Sequence, residues 1–316
     1  MSDVDYLKSF LSSKRFDTEH ALNVYVRHYL ILPASEIYND EMLADKAELI
    51  SNCHIYFIGL VPDIQDVDVS LSGTELCFKF LISDDEYVVA MEVPPDTEFL
   101  QREGDGWILT NSSGGRFWPR MDRVLQRLSA ICEHQAFKVL YIGQAYGADG
   151  SRNAIDRLLN HGTLQKISLQ GIPAGYRLML MLLDVAPGNR LITMINPFAQ
   201  EQDPNLSRIE QGLDFLATTT EAERTTLFEA SFIRYFQPKF NKVFKDSFPS
   251  TNMSVLTGCY SKDIAAVVAE INHDELPFKL YSDTVEAAYD HTAHHDLHKD
   301  EDRRVFFGLN VTERSG

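Results

Sequence analysis

The stretch from Phe137 to His161, FKVLYIGQAYGADGSRNAIDRLLNH, constrains this chain more than any other. Val139 to Ile142 form a short apolar run of strand character, Gly143 breaks it, and a small polar loop leads into residues with helical spacing. A buried strand running into a helix demands layers packed on a sheet. At about 100° per residue, the helix predicted over 152–161 places Ile155, Leu158 and Leu159 on one side. Arg157 and His161 fall together on the other, neighbours at i, i+4 able to address one ligand. Taken alone, such a pair is an ordinary solvated face.

The flanks differ from this middle in charge. The chain of 316 residues carries a net charge of −17, which is unfavourable for a nucleic-acid partner because a polyanion is usually met by a basic surface. Residues 1–136 hold 11 basic and 23 acidic side chains, residues 137–245 hold 12 and 10, and residues 246–316 hold 6 and 13. The acidity therefore belongs to the flanks. Cys53, Cys77, Cys132 and Cys259 show no C-x-x-C spacing, which fits isolated thiols in a reducing compartment, with neither a zinc site nor a disulfide framework. No apolar run approaches the roughly 20 residues that span a bilayer, so the expected location is the cytoplasm, with no membrane partner.

Read in order, residues 1–52 have helical spacing after Asp17 and Thr18, ended by Pro33, with a second helix over Ser35 to Ser51. HIYFIGLV reads as a strand, and ELCFKFLI and EYVVAMEV as a hairpin turning at Ser83 to Asp85. Gly114 and Gly115 close a turn cluster that reads as a seam, followed by a helix from Met121 to Cys132. A strand at 138–142, the helix at 152–161, a strand at 177–185, a polar insert around 196–208 and a helix ending at Pro238 make the next unit. The last segment reads as a strand at Ser254 to Cys259, a helix at Lys262 to Asn272 and a strand at Phe278 to Tyr281. The expected class is α+β. It comprises an N-terminal mixed α+β domain over 1–115, a compact α/β sandwich with a small central sheet over 116–245, and an acidic C-terminal α/β extension over 246–316.

The helix LFEASFIRYFQPKFN, Leu227 to Asn241, adds the most unusual residue. Phe232, Ile233 and Phe236 form an apolar stripe with Glu229 in its middle. A carboxylate there must end up exposed, paired or bound to a cation, because burying it bare is very costly. Pro238 ends the helix and Lys239, Asn241, Lys242 and Lys245 follow in a basic run, solvated in most proteins and phosphate-contacting in some.

Together these residues resemble the GIY-YIG nuclease superfamily. The run Leu140-Tyr141-Ile142-Gly143-Gln144, Arg157 and His161 after it, Glu229-Ala-Ser-Phe-Ile, and Gln237-Pro238-Lys239-Phe240-Asn241 carry the resemblance over residues 137–245. It implies a compact α/β nuclease domain that hydrolyses phosphodiesters with one divalent cation, Mg²⁺ or Mn²⁺, held chiefly by Glu229. Tyr141 would orient or activate the attacking water, and Arg157 would stabilise charge on the phosphoryl oxygens. His161 would serve as a general base or contact phosphate, and Asn241 would orient its neighbours. The family's first strand is missing from its usual place, about ten residues upstream. There QRLSAICEHQA reads as helix, and the second family tyrosine is unassigned, with Tyr146 and Tyr87 the nearest alternatives.

Other patterns carry less. His291, His294, His295 and His298 cluster with Asp290 and Asp296 near the terminus, where solvated charge outweighs metal binding. Gly147 and Gly150 lack the P-loop lysine, and no G-x-S-x-G occurs. The leading expectation is a metal-dependent endonuclease on nucleic acid, DNA ahead of RNA, with acidic flanks that recruit a protein partner in a defence or mobile-element system. The alternative is a binding or regulatory module on the same fold that has lost turnover.

Overall fold

The computed structural model of the protein describes residues 3–101, 106–132, 134–147, 152–186, 188, 190–250, 256–272 and 276–306. Helix α1 (Asp3–Ser12) leads into β1 (Thr18–Pro33), a strand of 16 residues where periodicity predicts a helix. Strand wins because both faces are covered: Leu22, Val24 and Val26 enter one apolar core while Leu30 and Leu32 enter another. Near-continuous burial of this kind imitates helical spacing. A 3-10 turn (Ala34–Tyr38) and the short helices α2 (Asp40–Ala44) and α3 (Ala47–Asn52) replace the single helix expected there. Asn39 caps α2 by accepting from the Met42 N–H at 3.1 Å.

Strand β2 (Ile55–Pro62) precedes a self-contained unit. Here β3 (Gln65–Ser72), β4 (Glu75–Ile82) and β5 (Asp85–Glu92) form one antiparallel sheet, and β6 (Glu98–Gln101), β7 (Trp107–Thr110) and β8 (Arg116–Phe117) another. Helix α4 (Met121–Ile131) buries Val124 and Leu128 in the same core as Leu76, Phe78, Phe80 and Leu109. The hairpin turns at Ser83 and Asp84 as the sequence predicts, both at positive φ. Gly114 turns the chain between β7 and β8. The seam expected after Gly115 therefore falls inside this unit, because α4 belongs to its core.

The chain then returns through β9 (Ala136–Gln144), α5 (Ala154–Leu158) and α6 (Gly162–Leu169). There follow β10 (Tyr176–Val185), β11 (Arg190–Ile195), α7 (Ser207–Thr218) and α8 (Glu221–Phe236). Helix α9 (Thr257–Ser261) lies where a strand is predicted over Ser254 to Cys259; Ser254 itself is outside the described residues. Strand β12 (Ala266–Ile271) occupies the helix predicted at Lys262 to Asn272, since Ala266, Val267, Val268 and Ala269 are all buried. The chain closes with β13 (Lys279–Tyr281), as predicted, and β14 (His291–Asp296).

The protein is α+β, built on one curled, eight-stranded mixed sheet in the order β13-β9-β2-β10-β1-β12-β14, with β11 also paired to β1. Residues 26–33 of β1 pair with β10, while residues 18–25 pair with β11 and, in parallel, with β12. The sheet is larger than the small one expected. It draws strands from all three sequence segments, so the boundaries expected at 115 and 245 do not mark where pairing stops. Side chains alternate across it: Phe57, Met181 and Leu183 face the core under α8, and Tyr56, Ile58, Leu180 and Leu182 face the core under α5 and α6.

Candidate active site at the outer edge of β9

Strand β13 covers only the first residues of the outer edge of β9, pairing with Ala136 to Lys138. Beyond that, the backbone groups of Leu140, Ile142 and Gln144 need other partners. The Phe240 N–H donates to the Leu140 carbonyl at 3.0 Å. The Asn241 side chain accepts from the Ile142 N–H at 2.9 Å and donates to its carbonyl at 2.8 Å, acting as one more residue of β-ladder. The Gln144 N–H faces the Glu229 carboxylate and favours its charged form. Asn241 thus fixes the outer edge of the strand.

The inner edge of β9 pairs antiparallel with β2, Tyr56 opposite Gly143 and Ile58 opposite Tyr141. This is the partner strand left unassigned from sequence. It brings Tyr56 to Tyr141, ring centroids 6.3 Å apart. A Cβ on Gly143 would stand 2.5 Å from the Tyr56 hydroxyl and 2.8 Å from Tyr141 Cε1, so glycine is needed for both rings to cross above it. Tyr146 instead contacts His54 and donates to Glu221 at 3.4 Å, and Tyr87 lies on β5 opposite Phe80.

His161 is not on one helical face with Arg157. The Asn153–Asp156 capping box starts α5, which ends at Leu158, and His161 is the N-cap of α6. Its Nδ1 accepts from the Leu164 N–H at 3.1 Å. The ring proton therefore sits on Nε2, which donates to the Tyr56 hydroxyl at 3.1 Å. Burial, followed by the Arg157 charge, pushes the imidazole down to about 4. With both nitrogens committed, His161 is a neutral anchor for Tyr56 rather than the general base implied by resemblance.

Burial also raises the Tyr56 and Tyr141 hydroxyls well above the usual range, so both stay protonated near neutrality. The Arg157 guanidinium, exposed at the end of α5, acts against burial on the Tyr56 hydroxyl and draws it back down. Glu229 is 9% exposed. Burial pushes its carboxyl up to about 8, against the pull of the Gln144 N–H and the Arg157 charge.

Glu229 opens into a cleft of about 550 Å³ with Tyr141, Thr163, Lys166, Asn241 and Lys242. Lys166 and Lys239 stand over the Phe240 ring at 5.8 and 5.5 Å. Lys245 enters through its carbonyl, which accepts from Arg234 at 2.5 Å and Gln237 at 2.6 Å, so it serves the loop. Among the described residues no three His, Cys, Asp or Glu side chains gather as a metal cage. Glu229 suits a cation held by one carboxylate and water: a hard oxygen donor, short of positive charge, at the wall of a wet cleft.

The terminal histidines do not gather: His294 is exposed, and the other three are held by backbone carbonyls. His291 Nε2 donates to the Leu280 and Ala288 carbonyls at 3.0 and 2.9 Å, His295 to Ser231 at 3.2 Å and His298 to Ile264 at 3.2 Å. They lie along and beyond β14, where successive side chains point to opposite faces. Gly150 is outside the described residues.

Sequence reasoning missed Tyr56, Lys166 and Thr226. IYFIG at 55–59 and LYIGQ at 140–144 each carry an aliphatic-tyrosine pair with a glycine close behind, at Gly59 and Gly143, a signal hidden by the 73 residues, 63–135, between the two strands. Among the described residues no helix is long and apolar enough to cross a membrane. No family model, curated protein or solved structure matches the chain.

Proposed function

We propose that this chain is a metal-dependent nuclease of the GIY-YIG type, hydrolysing phosphodiester bonds in nucleic acid, DNA ahead of RNA. The observation that carries the reading is the meeting of two tyrosines from paired antiparallel strands, Tyr56 and Tyr141, with Arg157 and the buried Glu229. On this reading Ile55-Tyr56 is the first half of the family signature, split from the second by the unit over 63–135.

Glu229 would hold one Mg²⁺ or Mn²⁺, which when bound polarises a phosphoryl oxygen and acidifies a water. Arg157 donates to the phosphoryl oxygens and stabilises the charge they gain. Tyr141, kept protonated, orients water at the cleft. Tyr56 accepts from His161, which fixes its hydroxyl beside that of Tyr141. Asn241 keeps β9 straight beneath them. Lys166 and Lys242 hold the strand by its phosphates, and the acidic flanks are left for a protein partner.

The test is cleavage of plasmid DNA, oligonucleotide duplexes and RNA with Mg²⁺ or Mn²⁺, by wild type beside Glu229→Ala and Tyr56→Phe. Wild type cuts at least one substrate and Glu229→Ala cuts none. Equal cutting by wild type and Glu229→Ala, or none by wild type, sinks the reading.

A further inference from the structure

Beside the Glu229 cleft, a smaller cavity of about 240 Å³ opens along the same helix. Ala222 and Thr226 line it, Glu229 and Ile233 line the cleft, and at three- and four-residue spacing these four share one face of α8 within about 60° of arc. The two spaces are therefore successive stations beside one helix, their lining pairs centred about two turns, or about 10 Å, apart.

Arg152 and Arg157 both border this cavity, and neither has a carboxylate ion partner among the described residues. The backbone of Arg152 is held: its carbonyl accepts from His54 Nδ1 at 3.1 Å. Gly147, at φ +73°, turns so tightly that a Cβ there would sit 3.3 Å from Arg152 Cβ. The acidic neighbour, Glu221, is engaged by the Tyr146 hydroxyl at 3.4 Å and lies 4.0 Å from His54. The Thr226 hydroxyl donates to the Ala222 carbonyl at 2.9 Å and lies 3.3 Å from Gln144 Oε1, so the Gln144 side-chain amide sits at the wall of the cavity. Two unneutralised guanidinium groups and an amide around so small a space form an enclosure for a tetrahedral oxyanion.

We propose that this cavity is a second phosphate subsite, taking the phosphodiester group adjacent to the one at Glu229 on the same strand. Arg152 is its own ligand and Arg157 is shared by both stations. The proposal rests on the nuclease reading above and adds Arg152 as a binding residue remote from the chemistry. Arg152 therefore governs affinity, whereas Glu229 governs turnover.

Fluorescence anisotropy tests it, using a short fluorescein-labelled oligonucleotide of mixed sequence as duplex DNA, single-stranded DNA and single-stranded RNA, in EDTA so that nothing is cut. Arg152→Gln raises Kd roughly tenfold at about 50 mM salt and lowers the slope of log K against log salt by about 0.9 on duplex or about 0.7 on a single strand. Arg152→Lys restores the slope, which a merely structural role in the loop would not predict. With metal, Arg152→Gln raises KM and leaves kcat within about threefold. An Arg152→Gln protein with the wild-type Kd and slope on all three probes overturns the subsite, as does a wild type that binds none of them. A wild type that binds with an Arg152-dependent slope yet cuts nothing overturns the nuclease reading and leaves the subsite standing.

Discussion

Glu19 and Glu229 are both glutamates inside the protein, 1% and 9% exposed, and their surroundings are opposite. Glu19, near the start of β1, receives Arg303 Nε at 2.5 Å and Nη2 at 3.0 Å, and Arg208 Nη2 at 2.8 Å. Asp263 bridges the same two arginines at 2.9 and 2.7 Å, and both guanidinium groups stack on Phe16 at 4.8 and 4.0 Å. Glu229 has a backbone N–H and a through-space arginine. A buried carboxylate saturated with guanidinium donors is a fastener, in this case between β1, α7 and the residues after β14. One left short of positive charge beside an open cleft is poised for a ligand that brings charge with it.

Exchanging the two residues for their amides breaks the comparison most directly. Glu229→Gln lowers cleavage about a thousandfold or more while the protein melts at or above the wild-type temperature. Glu19→Gln leaves the activity of folded molecules within about threefold. Steady-state cleavage and thermal melting on both variants decide it; loss of activity in Glu19→Gln with an unchanged melt would remove the distinction. Glu19→Ala, which strands two buried arginines, destabilises the protein by about 3–5 kcal/mol in urea.

A smaller effect separates positioning from chemistry within the site. Asn241→Ala leaves the Ile142 N–H and carbonyl unpaired in a buried place and costs about 2–4 kcal/mol, with a fall in kcat as Tyr141 loses its footing. Asn241→Asp retains the acceptor for the N–H and loses the donor, so its stability falls between the two. Equal stabilities of all three in urea would show that the edge is satisfied another way.

What was legible in the chain follows the same division between local and distant causes. Strands β9 and β10 and helices α4 and α8 carry their own periodicity, and α8 a capping box as well, so Tyr141, Glu229 and Asn241 could be found from neighbours in sequence. Strand β1 could not, because Thr18 to Val24 are buried without a break and the register shift between Val26 and His28 disturbs the alternation after them, and β12 fails through the same continuous burial at Ala266 to Ala269. Tyr56 was out of reach for a different cause. It becomes a site residue only through pairing with a strand that returns after 73 residues of other fold, and sequence spacing records no such pairing. His161 was misassigned because the capping of α6, a matter of two residues, turns an exposed helical position into a buried cap.

The weakest effect is a pH dependence whose sign differs between the two kinds of buried group. His161 and His295 are each pushed down to about 4 by burial, from an ordinary value of 6.5. The unfolded chain takes up their protons first, so the stability they lend is complete above about pH 6.5 and is lost as pH falls toward 4. Glu229 works the other way: raised from 4.5 to about 8, it keeps its proton in the fold after the unfolded chain has released its own. Its contribution is complete below about pH 4.5 and is lost as pH rises through 8. Between 6.5 and 8 the histidine effect is largely over, and the Glu229 effect alone approaches about 1.4 kcal/mol per pH unit at most. Urea unfolding across that window, in EDTA, compares wild type with Glu229→Gln. The stability difference in favour of the amide widens with pH, and millimolar Mg²⁺ narrows it by stabilising wild type alone. Parallel curves with and without the ion would mean that Glu229 is as well compensated as Glu19, and the contrast between them would fall.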